Sequence, residues 1–321
     1  MIRESYSNKV VLVTGGAGFI GSHLVDRLIK DGVKQVIVID NLFLGSLENL
    51  KSAQSLGAIF YNEDIESKDA LEYIFDLHEI DIVFNLATKA LNYSFINPAN
   101  AFTTNVNGVV NLLELQRKGR FTTLCHCSTS EVYGTAVYEP MDEQHPKSPM
   151  TTYAAGKAAA DFAVESYVSM FDLDSFVVRP FNNFGPRQNY KGLLAAVIPI
   201  TAWRLCNGKQ PEIHGEGTQT RDFIYVHDTV DAIVKLFSVM PKGESANIST
   251  DNSCSIKSLI ESICLYFDYQ GEILVKEARG ADVLAHKASN EKIRGLIDYE
   301  LTPFDESLEQ TLKWYSEGFT K

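Results

Sequence analysis

Strand-length and helix-length segments alternate up to about residue 180, and this alternation constrains the fold more than any other feature of the sequence. Short apolar runs of strand length lie at 9–14, 35–40, 58–62, 81–86, 121–128 and 175–179. Segments with helical length and periodicity lie between them, at 19–30, 97–118 and 151–171. Because parallel strands need a crossover connection, usually a helix, this pattern predicts an α/β fold with a doubly wound parallel sheet.

Prolines and glycines become more frequent after residue 179, which indicates a second, smaller region. Prolines and glycines between Pro180 and Gly217 separate shorter elements, which is typical of an irregular capping region. The sequence therefore predicts a first domain over 1–179 and a smaller, mixed C-terminal region over 180–321. Helical periodicity over 228–240 indicates that part of the second region, about 221–245, returns to the first layer.

A glycine-rich turn joins the first predicted strand to the first predicted helix. Gly15 precedes a G-x-G-x-x-G pattern at Gly16, Gly18 and Gly21. Without side chains, the backbone turns tightly and a pyrophosphate can approach the N–H groups at the positive helix N-terminus. Asp40 ends the next strand, where a carboxylate can accept hydrogen bonds from both adenine-ribose hydroxyls and would repel a 2′-phosphate. This context predicts a Rossmann-like, NAD-binding first domain.

Tyr153 and Lys157 lie one helical turn apart and therefore share a face of the helix predicted over 151–171. An ammonium beside a phenol favours the phenolate, so we expect the pKa of Tyr153 to shift from ~10 toward working pH. Such a tyrosine is a usable general base, and Lys157 can also bind a ribose hydroxyl. The segment Ser128-Thr129-Ser130-Glu131 follows a strand of the same sheet, where ligands bind.

Together these motifs resemble the extended short-chain dehydrogenase/reductase family, the NAD-dependent nucleotide-sugar epimerases, dehydratases and decarboxylases. The matched motifs occur in the family's order over residues 9 to about 231. They are Gly15 to Gly21, Asp40-Asn41, Asn85-Leu86-Ala87, Asn105, Ser128 to Gly134, Tyr153 to Lys157, Arg179 to Pro186, and Arg221-Asp222-Phe223. One departure is Asn85-Leu86-Ala87-Thr88, where the family usually has His-x-Ala-Ala.

The resemblance implies NAD as the cofactor and Thr129, Tyr153 and Lys157 as the catalytic triad. It also implies a nucleotide sugar as the substrate, bound mainly by the C-terminal region over 180–321. Ser130 and Glu131 are the further catalytic candidates. The expected cofactor-binding residues are Gly15, Gly18, Phe19, Ile20, Gly21, Asp40, Asn41, Asp64, Ile65, Leu86, Ala87 and Lys157. The expected substrate-binding residues are Lys89, Asn183, Arg187 and Arg221, with Lys89 either contacting the substrate or solvated.

Glu131 distinguishes the reactions that the resemblance allows. In 4,6-dehydratases a carboxylate here removes the C5 proton of a 4-keto sugar, whereas epimerases usually have a small residue. Thr129-Ser130-Glu131 is similar to the Thr-Ser-Glu of GDP-mannose dehydratases, so we expect a 4,6-dehydratase, with UDP-N-acetylglucosamine as the first substrate choice. UDP-glucuronate decarboxylases share Ser-Thr-Ser-Glu and remain an alternative, as do UDP-sugar 4-epimerases and a non-catalytic NAD sensor. The acid that assists departure of water stays open between Ser130, Glu131 and a bound water.

The amino-acid composition limits the classes of partner that this protein is expected to bind. With 29 Lys+Arg against 41 Asp+Glu, the net charge is −12, which argues against nucleic-acid and anionic-membrane binding and requires local cations for a diphosphate. The five cysteines are scattered, and no Cys/His set has zinc-site spacing, so no metal site is expected. Reduced thiols and the lack of an apolar run of membrane length favour a cytoplasmic protein. The resemblance also implies a homodimer formed through the two long helices.

Overall fold

The computed structural model describes residues 3–277 and 287–319. Within these ranges the strands, in chain order, are β1 Val10–Thr14, β2 Gln35–Ile39, β3 Ile59–Tyr61, β4 Ile82–Asn85, β5 Thr123–Cys127, β6 Asp174–Pro180, β7 Asn182–Phe184, β8 Glu212–His214, β9 Thr220–Arg221, β10 Phe223–Tyr225, β11 Ser245–Ile248, β12 Cys254–Ser255 and β13 Leu274–Lys276. The α-helices are α1 Phe19–Lys30, α2 Lys51–Ser55, α3 Lys68–Leu77, α4 Pro98–Arg117, α5 Thr152–Phe171, α6 Val197–Cys206, α7 Val226–Val239, α8 Ile256–Tyr266, α9 Glu291–Leu296 and α10 Phe304–Phe319.

Seven strands form one parallel sheet in the order β11-β6-β5-β4-β1-β2-β3. The order reverses at β1, so the crevice at the carboxyl ends of β1 and β4 is the position where open α/β sheets bind ligands. The predicted fold class, a Rossmann-like doubly wound sheet with a smaller mixed region, is confirmed.

Apolar residues fill both faces of the sheet, as its near-continuous hydrophobic strands require. In β1, Val11 and Val13 belong to the core on one face, while Val10 and Leu12 belong to the core on the other. Side chains of a strand alternate between faces, so each strand contributes to both cores. The sheet is therefore a rigid platform for the loops at its carboxyl edge.

Segments beyond residue 180 contribute to two parts of the molecule. α7 packs against α1, and β11 pairs with β6 at the edge of the sheet. The remaining strands form three two-stranded sheets, β7 with β10, β8 with β13 and β9 with β12. Helices α6, α8 and α10 pack around a third apolar core that contains the buried Tyr315. Within 3–277 and 287–319, none of the helices has both the length and the apolarity needed to cross a bilayer.

Candidate active site

The loops at the carboxyl edge of the sheet and the C-terminal region enclose a cavity of about 890 Å³. Every site residue named from the sequence lines this cavity, with the exception of Ser130. The lining set is Gly15, Gly18, Phe19, Ile20, Gly21, Asp40, Asn41, Asp64, Ile65, Leu86, Ala87, Lys89, Thr129, Glu131, Tyr153, Lys157, Asn183, Arg187 and Arg221. The parallel topology thus brings together residues that are far apart in the chain.

The glycine turn between β1 and α1 leaves backbone open to the cavity. Gly15 has φ of 68°, and a Cβ there would lie 2.7 Å from the backbone nitrogen of Ala87. A Cβ on Gly21 would lie 2.2 Å from the carbonyl oxygen of Gly15. Gly18 is the N-cap of α1 and supplies no side-chain hydrogen bond to the first N–H groups of the helix. These N–H groups suit a diphosphate, so the turn fits the dinucleotide that its sequence predicts.

Asp40 follows β2 at the other end of this crevice and is 8% exposed. One carboxylate oxygen accepts a hydrogen bond from the backbone nitrogen of Ala17 at 3.0 Å, and the other accepts from that of Leu42 at 2.8 Å. Burial raises the pKa of Asp40, and these backbone hydrogen bonds oppose the shift. Nearby, the Asn41 amide donates to Asp64 at 2.6 Å, which joins the ends of β2 and β3. The arrangement fits an adenosine ribose at Asp40.

Helix α5 carries Tyr153 in its first turn. The helix begins where the Thr151 side chain accepts a hydrogen bond from the backbone nitrogen of Ala154, and Tyr153 itself donates its N–H to Ser94 at 2.9 Å. Burial raises the pKa of the Tyr153 phenol, and the hydroxyls of Thr129 and Thr88 partly oppose this shift. Thr88 is a neighbour of Tyr153 that the sequence analysis missed; its place in the unusual Asn85-Leu86-Ala87-Thr88 segment was the available signal.

Lys157 lies one turn further along α5 and is 2% exposed. Its ammonium donates to the carbonyl oxygen of Cys127 at 2.6 Å, and burial lowers its pKa. The prediction that Lys157 brings the pKa of Tyr153 toward working pH is wrong for the protein alone, because desolvation of the phenol is the dominant effect. The pair nevertheless shares one helix face and one cavity, as expected.

Glu131 and Ser130 are neighbours in the turn that follows β5, but only Glu131 lines the cavity. Thr129 caps a 3₁₀ helix over Ser130–Tyr133, accepting a hydrogen bond from the backbone nitrogen of Glu131 at 3.2 Å. Glu131 lines the cavity, and its charge contributes to raising the pKa of the Tyr153 phenol. Ser130 is 2% exposed and outside the cavity lining. The catalytic role expected for Ser130 stays a prediction.

Lys89 is buried in the cavity wall, with 7% of its surface exposed. Its ammonium lies over the Phe43 ring, 4.0 Å from the centroid, and 6.0 Å from that of Tyr93. The two rings contact each other edge to face. Lys89 is thus largely buried in the cavity wall, and its contact with a substrate stays a prediction. The aromatic pair is a further part of the site that the sequence did not reveal.

The C-terminal region contributes polar groups from the opposite wall. Arg221 is 8% exposed and donates to the carbonyl oxygen of Thr220 at 2.9 Å. Arg187 forms an ion pair with Asp26 at 2.8 Å, while its buried Nη1 has no partner among the described residues. Asn183 lines the same wall. Over 3–277 and 287–319, no group of three or more His, Cys, Asp or Glu side chains could hold a metal ion.

The model of the GDP-mannose 4,6 dehydratase family matches residues 12–314 of this chain. This match covers both the sheet and the C-terminal region. The chain belongs to the NAD-dependent nucleotide-sugar epimerase/dehydratase family.

Relatives in this family carry different activities. A putative UDP-glucose 4-epimerase of Methanocaldococcus jannaschii is 35% identical over 85% of this chain and 88% of its own length. The structure of a UDP-N-acetylglucosamine 4-epimerase from Methanobrevibacter ruminantium, in complex with UDP-N-acetylmuramic acid, is 32% identical with a TM-score of 0.90, covering 97% of this chain and 99% of that one. A dTDP-glucose 4,6-dehydratase from Streptomyces venezuelae, with NAD bound, is 27% identical with a TM-score of 0.91, covering 96% and 97%. NAD as the cofactor of this family is thereby confirmed.

Proposed function

We propose that this protein is a nucleotide-sugar 4,6-dehydratase that acts on UDP-N-acetylglucosamine. The observation that carries the proposal is the Glu131 carboxylate, which lines the same cavity as Tyr153 and acts electrostatically on its phenol. A 4-epimerase needs proton transfer at C4 alone, whereas an elimination across C5 and C6 also needs a base for the C5 proton. Glu131 supplies a second acid–base group in the same cavity.

In the first half of the proposed reaction, Tyr153 accepts the proton of the sugar C4 hydroxyl. Thr129 orients that hydroxyl, and Lys157 binds a ribose hydroxyl of the cofactor. NAD, when bound, accepts the C4 hydride and returns it later. Because burial raises the pKa of Tyr153, this step depends on hydrogen bonds and charge brought by the bound ligands. The product of the step is a 4-keto sugar.

In the second half, Glu131 takes the C5 proton, which the neighbouring ketone acidifies. The C5–H electron pair forms the C5–C6 double bond, and the C6–O bond breaks with its electrons on oxygen, which leaves as water once protonated. The hydride that left C4 then adds to C6, and Glu131 returns its proton to C5. The balance is loss of one water, with the cofactor restored and a 4-keto-6-deoxy sugar formed.

The nucleotide diphosphate is proposed to bind the C-terminal wall. Arg221 and Arg187 offer guanidinium donors, which match phosphate oxygens in geometry and charge, and Asn183 offers a side-chain amide. The similarity to an epimerase whose name specifies UDP-N-acetylglucosamine supports this substrate. A local cation pair of this kind is what an acidic protein needs in order to bind a dianion.

A 4-epimerase is the second candidate, because two of the relatives described above are named as 4-epimerases. The two functions are distinguished by mass spectrometry of the product after purified protein and NAD are incubated with UDP-N-acetylglucosamine, UDP-glucuronate and GDP-mannose. Loss of water supports the proposal. An unchanged mass with inverted C4, or loss of carbon dioxide from UDP-glucuronate, would replace it with an epimerase or a decarboxylase.

We also propose that the protein works as a homodimer. Helices α4 and α5 pack side by side, and large apolar residues remain exposed on them, with Phe102 39% and Phe162 52% exposed. Exposed aromatic side chains of this size are typical of interfaces rather than of solvated helices.

A further inference from the structure

The proposed elimination needs an acid that protonates the departing C6 oxygen, and the position beside Glu131 does not provide one. Ser130, which precedes Glu131, is 2% exposed and outside the cavity lining. Glu131 is engaged with the C5 proton in the same step. A bound water or another donor in the cavity wall is then the source of the proton, and this inference rests on the proposed function.

Few cationic groups in the cavity wall can give up a proton. Arg187, Arg204 and Arg221 line the cavity, but a guanidinium does not deprotonate in proteins. Lys157 is bonded to the carbonyl oxygen of Cys127 at 2.6 Å. His214 belongs to β8 in the C-terminal region and contacts the carbonyl oxygen of Glu277. Lys89 is the remaining candidate.

Lys89 is largely buried, and its ammonium is not engaged by an acceptor among the described residues. It is 7% exposed, and within residues 3–277 and 287–319 its ammonium has no hydrogen-bond or ion-pair acceptor, only the faces of Phe43 and Tyr93. Lys89 lines the cavity and its ammonium has no acceptor among the described residues, so an oxygen that enters the cavity can accept a hydrogen bond from it. The aromatic faces hold the charge without competing for its protons.

Lys89 follows in the chain a residue that lies beside Tyr153. Thr88, its immediate neighbour, lies beside the Tyr153 phenol, and the Thr88 hydroxyl donates to Asn105 at 2.8 Å, which fixes this segment. Tyr153 meets the C4 hydroxyl in the proposed reaction, and C6 is two bonds from C4. The inference requires the C6 oxygen to bind within reach of the Lys89 side chain, which starts one residue from Thr88.

We propose that Lys89 is the general acid that protonates the C6 hydroxyl as it leaves. As Glu131 removes the C5 proton, the C6–O electron pair moves to oxygen, which takes one proton from the Lys89 ammonium and departs as water. Lys89 is left as a neutral amine and regains a proton from solvent when the product leaves. The step needs no additional oxidant, reductant or co-reactant.

The test compares two substrates in variants of the full protein with NAD. One substrate is UDP-N-acetylglucosamine, and the other is its 6-deoxy-6-fluoro analogue, whose fluoride leaves as an anion and needs no proton. Lys89→Met is expected to slow water loss on the order of 10²-fold or more, while fluoride release stays within a few-fold of wild type. Lys89→Arg, which keeps the charge but cannot give a proton, is expected to behave like Lys89→Met.

Lys209→Met is the matched control, because Lys209 also lies over an aromatic ring, 4.3 Å from the Trp203 centroid, but is exposed and outside the cavity lining. Its rates should match wild type with both substrates. If Lys89→Met slows water loss and fluoride release equally, Lys89 acts in binding and the proposal is overturned. The proposal is also overturned if Lys89→Arg restores the rate of water loss, or if Lys89→Met leaves that rate unchanged. A wild-type protein that releases neither water nor fluoride would instead overturn the dehydratase itself.

Discussion

At the scale of single residues, the proposed dehydratase reaction depends on Glu131. Because the proposed elimination requires a base at C5, Glu131→Gln should lower the rate of water loss by on the order of 10²- to 10⁴-fold. Oxidation at C4 does not use this carboxylate, so reduced cofactor should still form when substrate is added. Absorbance of the reduced nicotinamide and mass spectrometry of the product measure the two steps separately.

Glu143→Gln is the control for this prediction. Glu143 is a half-buried carboxylate that accepts a hydrogen bond from the backbone nitrogen of Asn247 at 2.7 Å, outside the cavity lining. A glutamine oxygen can accept the same bond, so water loss should remain near the wild-type rate. If Glu131→Gln also keeps the wild-type rate, the role proposed for Glu131 is wrong.

The sequence was enough to predict which residues share a helix face, but not how deeply each side chain is buried. Tyr153 and Lys157 were placed on one helix face from their spacing, because helical periodicity is a local property. The direction of the Tyr153 pKa shift was missed, because it depends on burial, which many distant segments create. The same limitation applies to Lys89, whose burial against Phe43 requires the loop after β2 to meet the loop after β4.

At the scale of elements, the turn between β1 and α1 determines whether a dinucleotide can bind. A Cβ on Gly21 would lie 2.2 Å from the carbonyl oxygen of Gly15, so Gly21→Ala must displace the backbone of the turn. We expect the NAD dissociation constant, measured by isothermal titration calorimetry, to rise at least about tenfold, which corresponds to about 1.4 kcal/mol.

Gly295→Ala on α9 is the matched control, because a Cβ at that position meets no atom within 4 Å. It should leave NAD binding unchanged and should raise the free energy of unfolding by up to about 1 kcal/mol, since alanine favours a helix over glycine. Circular dichroism of both variants separates a local effect from unfolding. Wild-type affinity in a folded Gly21→Ala protein would contradict the proposed diphosphate site.

The exposed faces of α4 and α5 form the interface of the proposed dimer. Phe162→Glu places a charge on an apolar surface that would be buried, so we expect the sedimentation coefficient to shift from dimer to monomer at micromolar concentration. Leu265→Glu is the control, since Leu265 is 81% exposed on α8, away from these helices. A wild-type protein that sediments as a monomer would contradict the dimer.

The elements of the first 180 residues were more predictable than those that follow. The predicted helix over 19–30 coincides with α1, and the predicted strands agree with β1 to β6 to within two residues at each end. These elements have strong apolar periodicity and clear turn residues. Strand β11 was not predicted as a strand, because four residues at a sheet edge carry little periodic signal and depend on pairing with β6.

At the scale of the whole molecule, the buried carboxylate of Asp222 links stability to pH. Asp222 is fully buried; one oxygen accepts hydrogen bonds from the backbone nitrogen and hydroxyl of Thr250, at 2.9 and 2.7 Å. Its other oxygen has no partner among the described residues. Burial raises the pKa of Asp222 to about 6. The folded protein therefore takes up a proton here at a higher pH than the unfolded chain does.

The sign of the effect follows from proton counting. Between the unfolded pKa of ~3.9 and the folded pKa of about 6, the folded state binds more protons than the unfolded state at this site. This contribution to the free energy of unfolding therefore falls as the pH rises through that interval and is constant above it. A shift of about two units corresponds to about 3 kcal/mol.

Asp222→Asn removes this titration and keeps an oxygen that can accept the Thr250 bonds. In urea unfolding between pH 4.5 and 7.5, the free energy of unfolding of the variant should therefore increase relative to wild type by about 2 kcal/mol, rising up to about pH 6.5 and then levelling off. Asp298→Asn, at an exposed carboxylate, should give a difference from wild type that does not change with pH. A flat difference for Asp222→Asn as well would mean that this carboxylate does not couple stability to pH.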